Sequence, residues 1–131
     1  MLETMPQEIE VRYILPAIRR ELANILIKEH KQSQKETAKL LGLTEAAISQ
    51  YLHSKRASQV VFSEDVQPEI RKSASKILSD RTKQRVLAET FRISSLAKVR
   101  HILCDIHRSQ SKDLKNCNIC FEDNLLAIKS K

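Results

Sequence analysis

The chain is poor in the residues that build sheets and phosphate-binding loops. Its 131 residues include one glycine, three prolines, no tryptophan, two tyrosines and three phenylalanines. A single glycine cannot supply the positive-φ positions of repeated hairpin turns or of a Gly-rich phosphate cradle. Walker-type nucleotide binding and the dinucleotide-binding fingerprint are therefore excluded. Strand-favouring residues never alternate with polar ones over a useful length. Apolar runs such as Ile25-Leu26-Ile27 and Val60-Val61-Phe62 fall far short of the roughly 20 residues that cross a bilayer. The opening Met-Leu-Glu-Thr-Met lacks a basic stretch followed by an apolar one, so no secretory signal is expected. Three cysteines are too few for a disulfide framework. A soluble, cytoplasmic, all-α protein is the expectation, with no membrane partner and no evident small-molecule substrate.

Basic charge and apolar residues are plentiful. Lys and Arg number 23 against 16 Asp and Glu, a formal net charge of +7. With 41% hydrophobic residues the chain can bury a core and is not a disordered basic tail. A basic helical protein of this size points first to nucleic acid as partner.

Along the chain, Val11, Leu15, Ile18, Leu22 and Ile25 recur at spacings of four and three, one stripe of a helix. Pro16 belongs at the first turn of a helix running to about His30, preceded by a short separate turn or helix. A short helix is expected from Gln34 to Leu41 and another from Thr44 to about His53. Val60-Val61-Phe62 reads as a short strand or extended segment. Ser63 precedes a further helix, with Glu64 and Asp65 in its first turn, ending near Leu78. From about Thr82 to His107 no breaker intervenes, which predicts one long helix. Val86, Ile93, Leu96, Val99, Leu103 and Ile106 mark one face of it, widened by Leu87, Phe91 and Ala97. So broad a face needs two covers, the N-terminal domain and a second copy of the chain. The expected division is a domain at 1–79, followed at 80–131 by the long helix and a short Cys-rich tail.

The most informative stretch runs from Gln34 to Leu52. Counting from Gln34, Ala38 stands fifth, where two helices cross and only a small side chain fits. Gly42 stands ninth, at a turn that needs positive φ. Leu41, Leu43 and Ile48 occupy the interior positions between the helices, and the Thr44 hydroxyl caps the second one. The chain's one glycine thus lies where a helix-turn-helix requires it.

This pattern closely resembles the DNA-binding helix-turn-helix of the Cro and phage-repressor class. The preceding Leu15-Pro-Ala-Ile-Arg-Arg-Glu-Leu-Ala is similar to the first helix of small archaeal transcription regulators, several with cysteine-rich tails. The resemblance spans roughly Glu8 to Leu78 and implies a DNA-binding domain of about five helices. Some of those regulators fuse it to a thiamine-phosphate synthase domain that this chain lacks, so thiamine sensing is not carried over.

The resemblance also implies that the helix opening at Thr44 enters the major groove of double-stranded DNA. Its outward residues Thr44, Glu45, Ala46, Ser49 and Gln50, with His53 one turn on, would reach base edges. Gln50 suits adenine, Glu45 a cytosine amine and Ala46 a thymine methyl. Ser33 and Gln34 before it, and Lys55 and Arg56 after it, are placed for phosphates. Between Arg71 and Lys115 stand twelve Lys/Arg and four Asp/Glu. Many of these belong to a solvated face, while Arg71, Lys72, Lys76, Arg81, Lys83 and Arg85 are candidates for the DNA backbone. A hairpin of helices that merely packs is the plainer reading of the same motif.

All three cysteines fall near the C-terminal end, in Cys104-Asp-Ile-His107 and Cys117-Asn-Ile-Cys120. Cys104 and His107 are three apart and share a helix face. Cys117 and Cys120 form a C-x2-C knuckle whose thiolates can meet one centre. The four make a Cys3His set, with His101 in reserve, while His30 reads as a helix-end residue. In a reducing compartment such a set is a metal site rather than a disulfide framework. An iron–sulfur cluster would make it a sensor; zinc would make it a closed staple; absence of metal remains a third reading. A thiol redox enzyme is disfavoured because no βαβ pattern surrounds the knuckle. No catalytic constellation is evident.

The sequence therefore predicts a DNA-binding transcription regulator, a homodimer whose Cys site senses redox state or metal. A helical, antitoxin-like protein-interaction module with a structural zinc is the alternative.

Overall fold

Ile9 and Ile14 are both buried although they stand five residues apart, a spacing that a regular α-helical turn does not place on one side. The chain solves this with a wider turn. In the computed structural model, which describes residues 4–53, 60–110, 112–117 and 119–121, α1 (Pro6–Ile9) passes into a π-helical turn (Glu10–Ile14) and then into α2 (Leu15–Lys28). Leu15 N–H bonds the Glu10 carbonyl five residues back. Pro16 follows at once and has no N–H for the carbonyl four residues before it, a gap that the wider turn absorbs. The extra residue rotates the stripe. Val11, expected in the core, is 65% exposed, and Ile14 takes its place.

From Ile14 onward the spacing is regular. Ala17, Ile18, Leu22, Ala23, Ile25 and Leu26 bury one side of α2. Around this helix gather α3 (Gln34–Leu41), α4 (Glu45–His53), α5 (Gln67–Asp80) and α6 (Lys83–Ser94). Between α4 and α5, Val60 and Phe62 are buried and Val61 exposed. The segment is extended, and no strand occurs among the described residues. The helix expected to follow Ser63 begins later. Ser63 to Val66 form a turn closed by Val66 N–H to the Ser63 carbonyl (3.0 Å). Glu64 and Asp65 lie in that turn, and α5 opens at Gln67 with Pro68 in its first turn, where a missing N–H costs nothing.

The single long helix expected over 82–107 is two helices. After α6, Leu96 takes an extended conformation (φ −61°, ψ 138°) and caps α7 (Ala97–Ser109). The cause is a pair of serines. Ser94 Oγ donates to the Phe91 carbonyl at 2.9 Å, and Ser95 N–H turns back to the Phe91 and Arg92 carbonyls. Such local bonds compete with continuation of the helix. Of the expected apolar face, Ile93, Val99 and Leu103 are buried, whereas Leu87 and Phe91 are 69% and 74% exposed.

A buried carboxylate fastens α6 to α5. Glu89 accepts from Ser73 Oγ (2.8 Å), Arg92 Nε (3.1 Å) and Arg85 Nη1 (3.3 Å). Arg92 reaches on to the Glu69 carboxylate at 2.7 Å. Helix α7 lies against α1 and the π turn, with Arg100 donating to Glu10 at 3.0 Å. Ile93, Val99 and Leu103 join the same core as Ile18, Leu22 and Leu26, so the core runs across the expected boundary at residues 79 and 80. The fold is all-helical, and no helix among the described residues is long and apolar enough to cross a membrane.

Candidate functional site

Helices α3 and α4 are set by local chemistry at both ends of the turn between them. Ser33 Oγ accepts the Glu36 N–H at 3.0 Å and caps α3. Gly42 stops α3 in the left-handed region at φ 68°, where a side chain is disfavoured. Leu43 N–H returns to the Ala38 carbonyl at 2.9 Å. Thr44 Oγ1 then accepts the Ala47 N–H at 3.0 Å and caps α4. Ala38, Leu41 and Ile48 are buried in the angle between the helices, with Leu43 packed against the same core.

The inner side of α4 is Ile48 and Tyr51, both buried. Its outer side presents Thr44, Glu45, Ala46, Gln50 and His53, all exposed, with Ser49 half-buried among them. Residues 45, 46, 49, 50 and 53 recur at helical spacing and share that face. His53 Nδ1 lies 3.2 Å from the Ser49 carbonyl, which orients its ring along the helix. Of the residues expected at phosphates, Ser33 is exposed and Gln34 half-buried at the start of α3. Lys55 and Arg56 lie outside the described residues.

The flanking cations divide into two groups. Arg71 pairs with Glu29 (3.3 Å), Lys72 with Glu69 (3.2 Å) and Arg85 with Asp80 (3.1 Å) and Glu89 (3.3 Å). These three are engaged within the fold. Exposed Lys76, Arg81 and Lys83 have no ion-pair partner among the described residues. The same holds for exposed Lys28, Lys31, Lys35 and Lys39, at the end of α2 and along α3. That second cluster was not singled out by sequence, although Lys35 and Lys39 stand four apart and share a face of α3.

A cavity of about 400 Å³ is lined by Cys104, His107, Cys117, Cys120, Arg100 and Arg108, together with residues 4–7. Cys104 is buried on α7, and its thiol is pushed up to about 11, first by burial and then by the neighbouring Cys120 thiol. Cys117 and Cys120 are half-buried, and no cysteine is in a disulfide. Arg108 Nε donates to the Cys117 carbonyl at 2.7 Å and so holds the knuckle against α7.

His107 lines the same cavity as the three cysteines. It is buried, and its Nε2 lies 2.5 Å from the Thr4 carbonyl. A carbonyl only accepts, so Nε2 carries the hydrogen and Nδ1 is the ring nitrogen left without one. His101 is exposed one turn earlier. No group of three His, Cys, Asp or Glu side chains among the described residues is arranged to hold a metal ion. The chemistry of the three thiols suits a thiophilic centre. No family model, curated protein or solved structure matches the chain.

Proposed function

We propose that the chain is a sequence-specific DNA-binding transcriptional regulator that works as a homodimer. One observation carries this reading: α4 holds Glu45, Ala46, Gln50 and His53 on a single exposed face, with Thr44 exposed at its cap, while caps at Ser33 and Thr44 and the turn at Gly42 fix its angle to α3. A helix presented in this way suits the major groove, with Gln50 facing adenine, Glu45 a cytosine amine and Ala46 a thymine methyl. Lys28, Lys31, Lys35 and Lys39, exposed and without an ion-pair partner among the described residues, would supply positive charge for phosphates. No catalytic step is assigned.

The test is a titration of ¹⁵N-labelled protein with mixed-sequence duplex DNA. Amide shifts gathered over residues 33–53, weakening steeply with salt, are the expected result. Shifts confined to α6 and α7, or none, would favour a protein-interaction module instead.

The homodimer would form through the exposed pair Leu87 and Phe91, one turn apart on α6. Sedimentation should give a dimer that Leu87→Glu with Phe91→Glu converts to monomer. The thiol corner would bind a thiophilic metal centre, an iron–sulfur cluster in the first instance and zinc in the second. Three thiols lining one cavity support this. Protein purified without oxygen should be brown, with iron and sulfide near stoichiometry. Colourless protein with one zinc per chain would make the corner a staple, and metal-free protein would remove the assignment.

A further inference from the structure

Four charged residues stand on α6, and three are tied into the fold. Arg85, Glu89 and Arg92 bond one another and the side chains of α5. The outer side of the helix is a stripe without charge. Gln84, Leu87, Ala88, Phe91 and Ser95 recur at spacings of three and four and are all exposed. A chain of net charge +7 repels its own copies, and an uncharged face is where two of them can meet. The stripe also has a direction. Arg81 and Lys83, exposed and without an ion-pair partner among the described residues, stand at its N-terminal end. Its other end closes at Ser94 and Ser95, where the helix dipole is negative.

We propose that two copies of the chain pack α6 against α6 in antiparallel fashion, with Phe91 of each seated on the partner's Leu87 and Ala88, and Gln84 facing the partner's Ser95. This arrangement rests on the homodimer proposed above and adds its direction and register. Shape favours it. The stripe is centred between Ala88 and Phe91, so a two-fold axis there sets a large side chain against a small one. A parallel pair would set Phe91 on Phe91 and Ala88 on Ala88, which crowds one level and leaves a gap at the other. Charge favours it as well. A parallel pair would bring both copies of Arg81 and Lys83 together. The antiparallel pair holds the two Lys83 about 18 Å apart along the helix axis, beyond a screening length of roughly 8 Å. Each Lys83 then lies beside the negative end of the partner's α6.

Charge complementation in the full-length chain reads the direction, with the dimer constant taken from sedimentation equilibrium and the fold checked by circular dichroism. Ser95→Lys should weaken the dimer, because the new ammonium meets the partner's Lys83. Adding Gln84→Glu should then tighten it by about threefold or more, since each new carboxylate faces the partner's new ammonium. In a parallel pair the double variant sets like charges together at both levels, and it would dissociate further than Ser95→Lys alone. A covalent trap gives a second readout. Gln84→Cys with Ser95→Cys, oxidised by air after chelator treatment, should join tryptic peptide 84–85 to peptide 93–98 of the partner. The unsubstituted chain treated alike supplies the background from the native thiols. A double variant weaker than Ser95→Lys, or each peptide joined to its own copy, would overturn the antiparallel arrangement and leave the dimer standing. A chain that stays monomeric, or a dimer that Leu87→Glu with Phe91→Glu leaves intact, would overturn both.

Discussion

At the scale of single residues, two positions in and after α3 make opposite demands. Gly42 sits at φ 68°, and a Cβ added there would meet nothing within 4 Å. The glycine is therefore required by the backbone and not by crowding. Gly42→Ala should lower stability by about 1 kcal/mol, and Gly42→Asn by less, since asparagine tolerates the left-handed region. Equal losses in urea denaturation would mean that something other than backbone conformation is at work. Thr37 is the converse case. It is fully buried on α3, and its Oγ1 has no hydrogen-bond partner among the described residues. Thr37→Val keeps the shape and removes a desolvated hydroxyl, so stability should rise by about 1 kcal/mol. A loss of similar size would show that the hydroxyl has a partner after all.

At the scale of elements, the joint between α5 and α6 has a pH signature. Burial pushes the Glu89 carboxyl up, but hydrogen bonds from Ser73, Arg92 and Arg85 outweigh this and hold it below its ordinary value of 4.5. Glu69 is lowered by its bond to Arg92 and then by Lys72, and Asp80 by Thr82 and then Arg85. All three bind protons less tightly folded than unfolded. Their stabilisation is therefore complete above the unfolded values and is lost as pH falls through the lower folded ones. Urea midpoints should be flat from neutrality down to about pH 5 and fall below that. Arg92→Ala should cost about 3 kcal/mol at neutral pH, because it leaves a buried carboxylate short of a partner, and it should flatten the acid slope. An unchanged slope would place the acid-sensitive groups elsewhere.

The elements also differ in how legible they were. Ser33, Gly42 and Thr44 act on neighbours three or four residues away, so the bounds of α3 and α4 followed closely from sequence. The break after Ser94 was missed because neither Gly nor Pro marks it, and the stop comes from the bonds of Ser94 and Ser95 to the Phe91 and Arg92 carbonyls. Val11 was misplaced because the π turn changes the helical period for one turn. The C-x2-C spacing brought Cys117 and Cys120 to one cavity with Cys104. The hold of Thr4 on His107 spans 103 residues, a relation that no local pattern contains.

At the scale of the whole molecule, the +7 net charge acquires a direction. Arg71, Arg85, Arg92 and Arg100 are drawn into ion pairs between elements, which leaves Lys28, Lys35 and Lys39 of α2 and α3 exposed and without an ion-pair partner among the described residues. Net charge alone would serve any polyanion, whereas α4 with its fixed outward side chains would read bases. The two contributions separate by experiment, since phosphate contacts bind all duplexes alike and base contacts do not. The most direct measurement is selection from a randomised duplex library with the full chain, followed by affinity for the enriched duplex and a scrambled one at 150 mM salt. The account predicts an enriched, two-fold related sequence bound at least about 10³-fold more tightly than the scrambled duplex. Equal affinity for the two, with no enriched sequence, would contradict it.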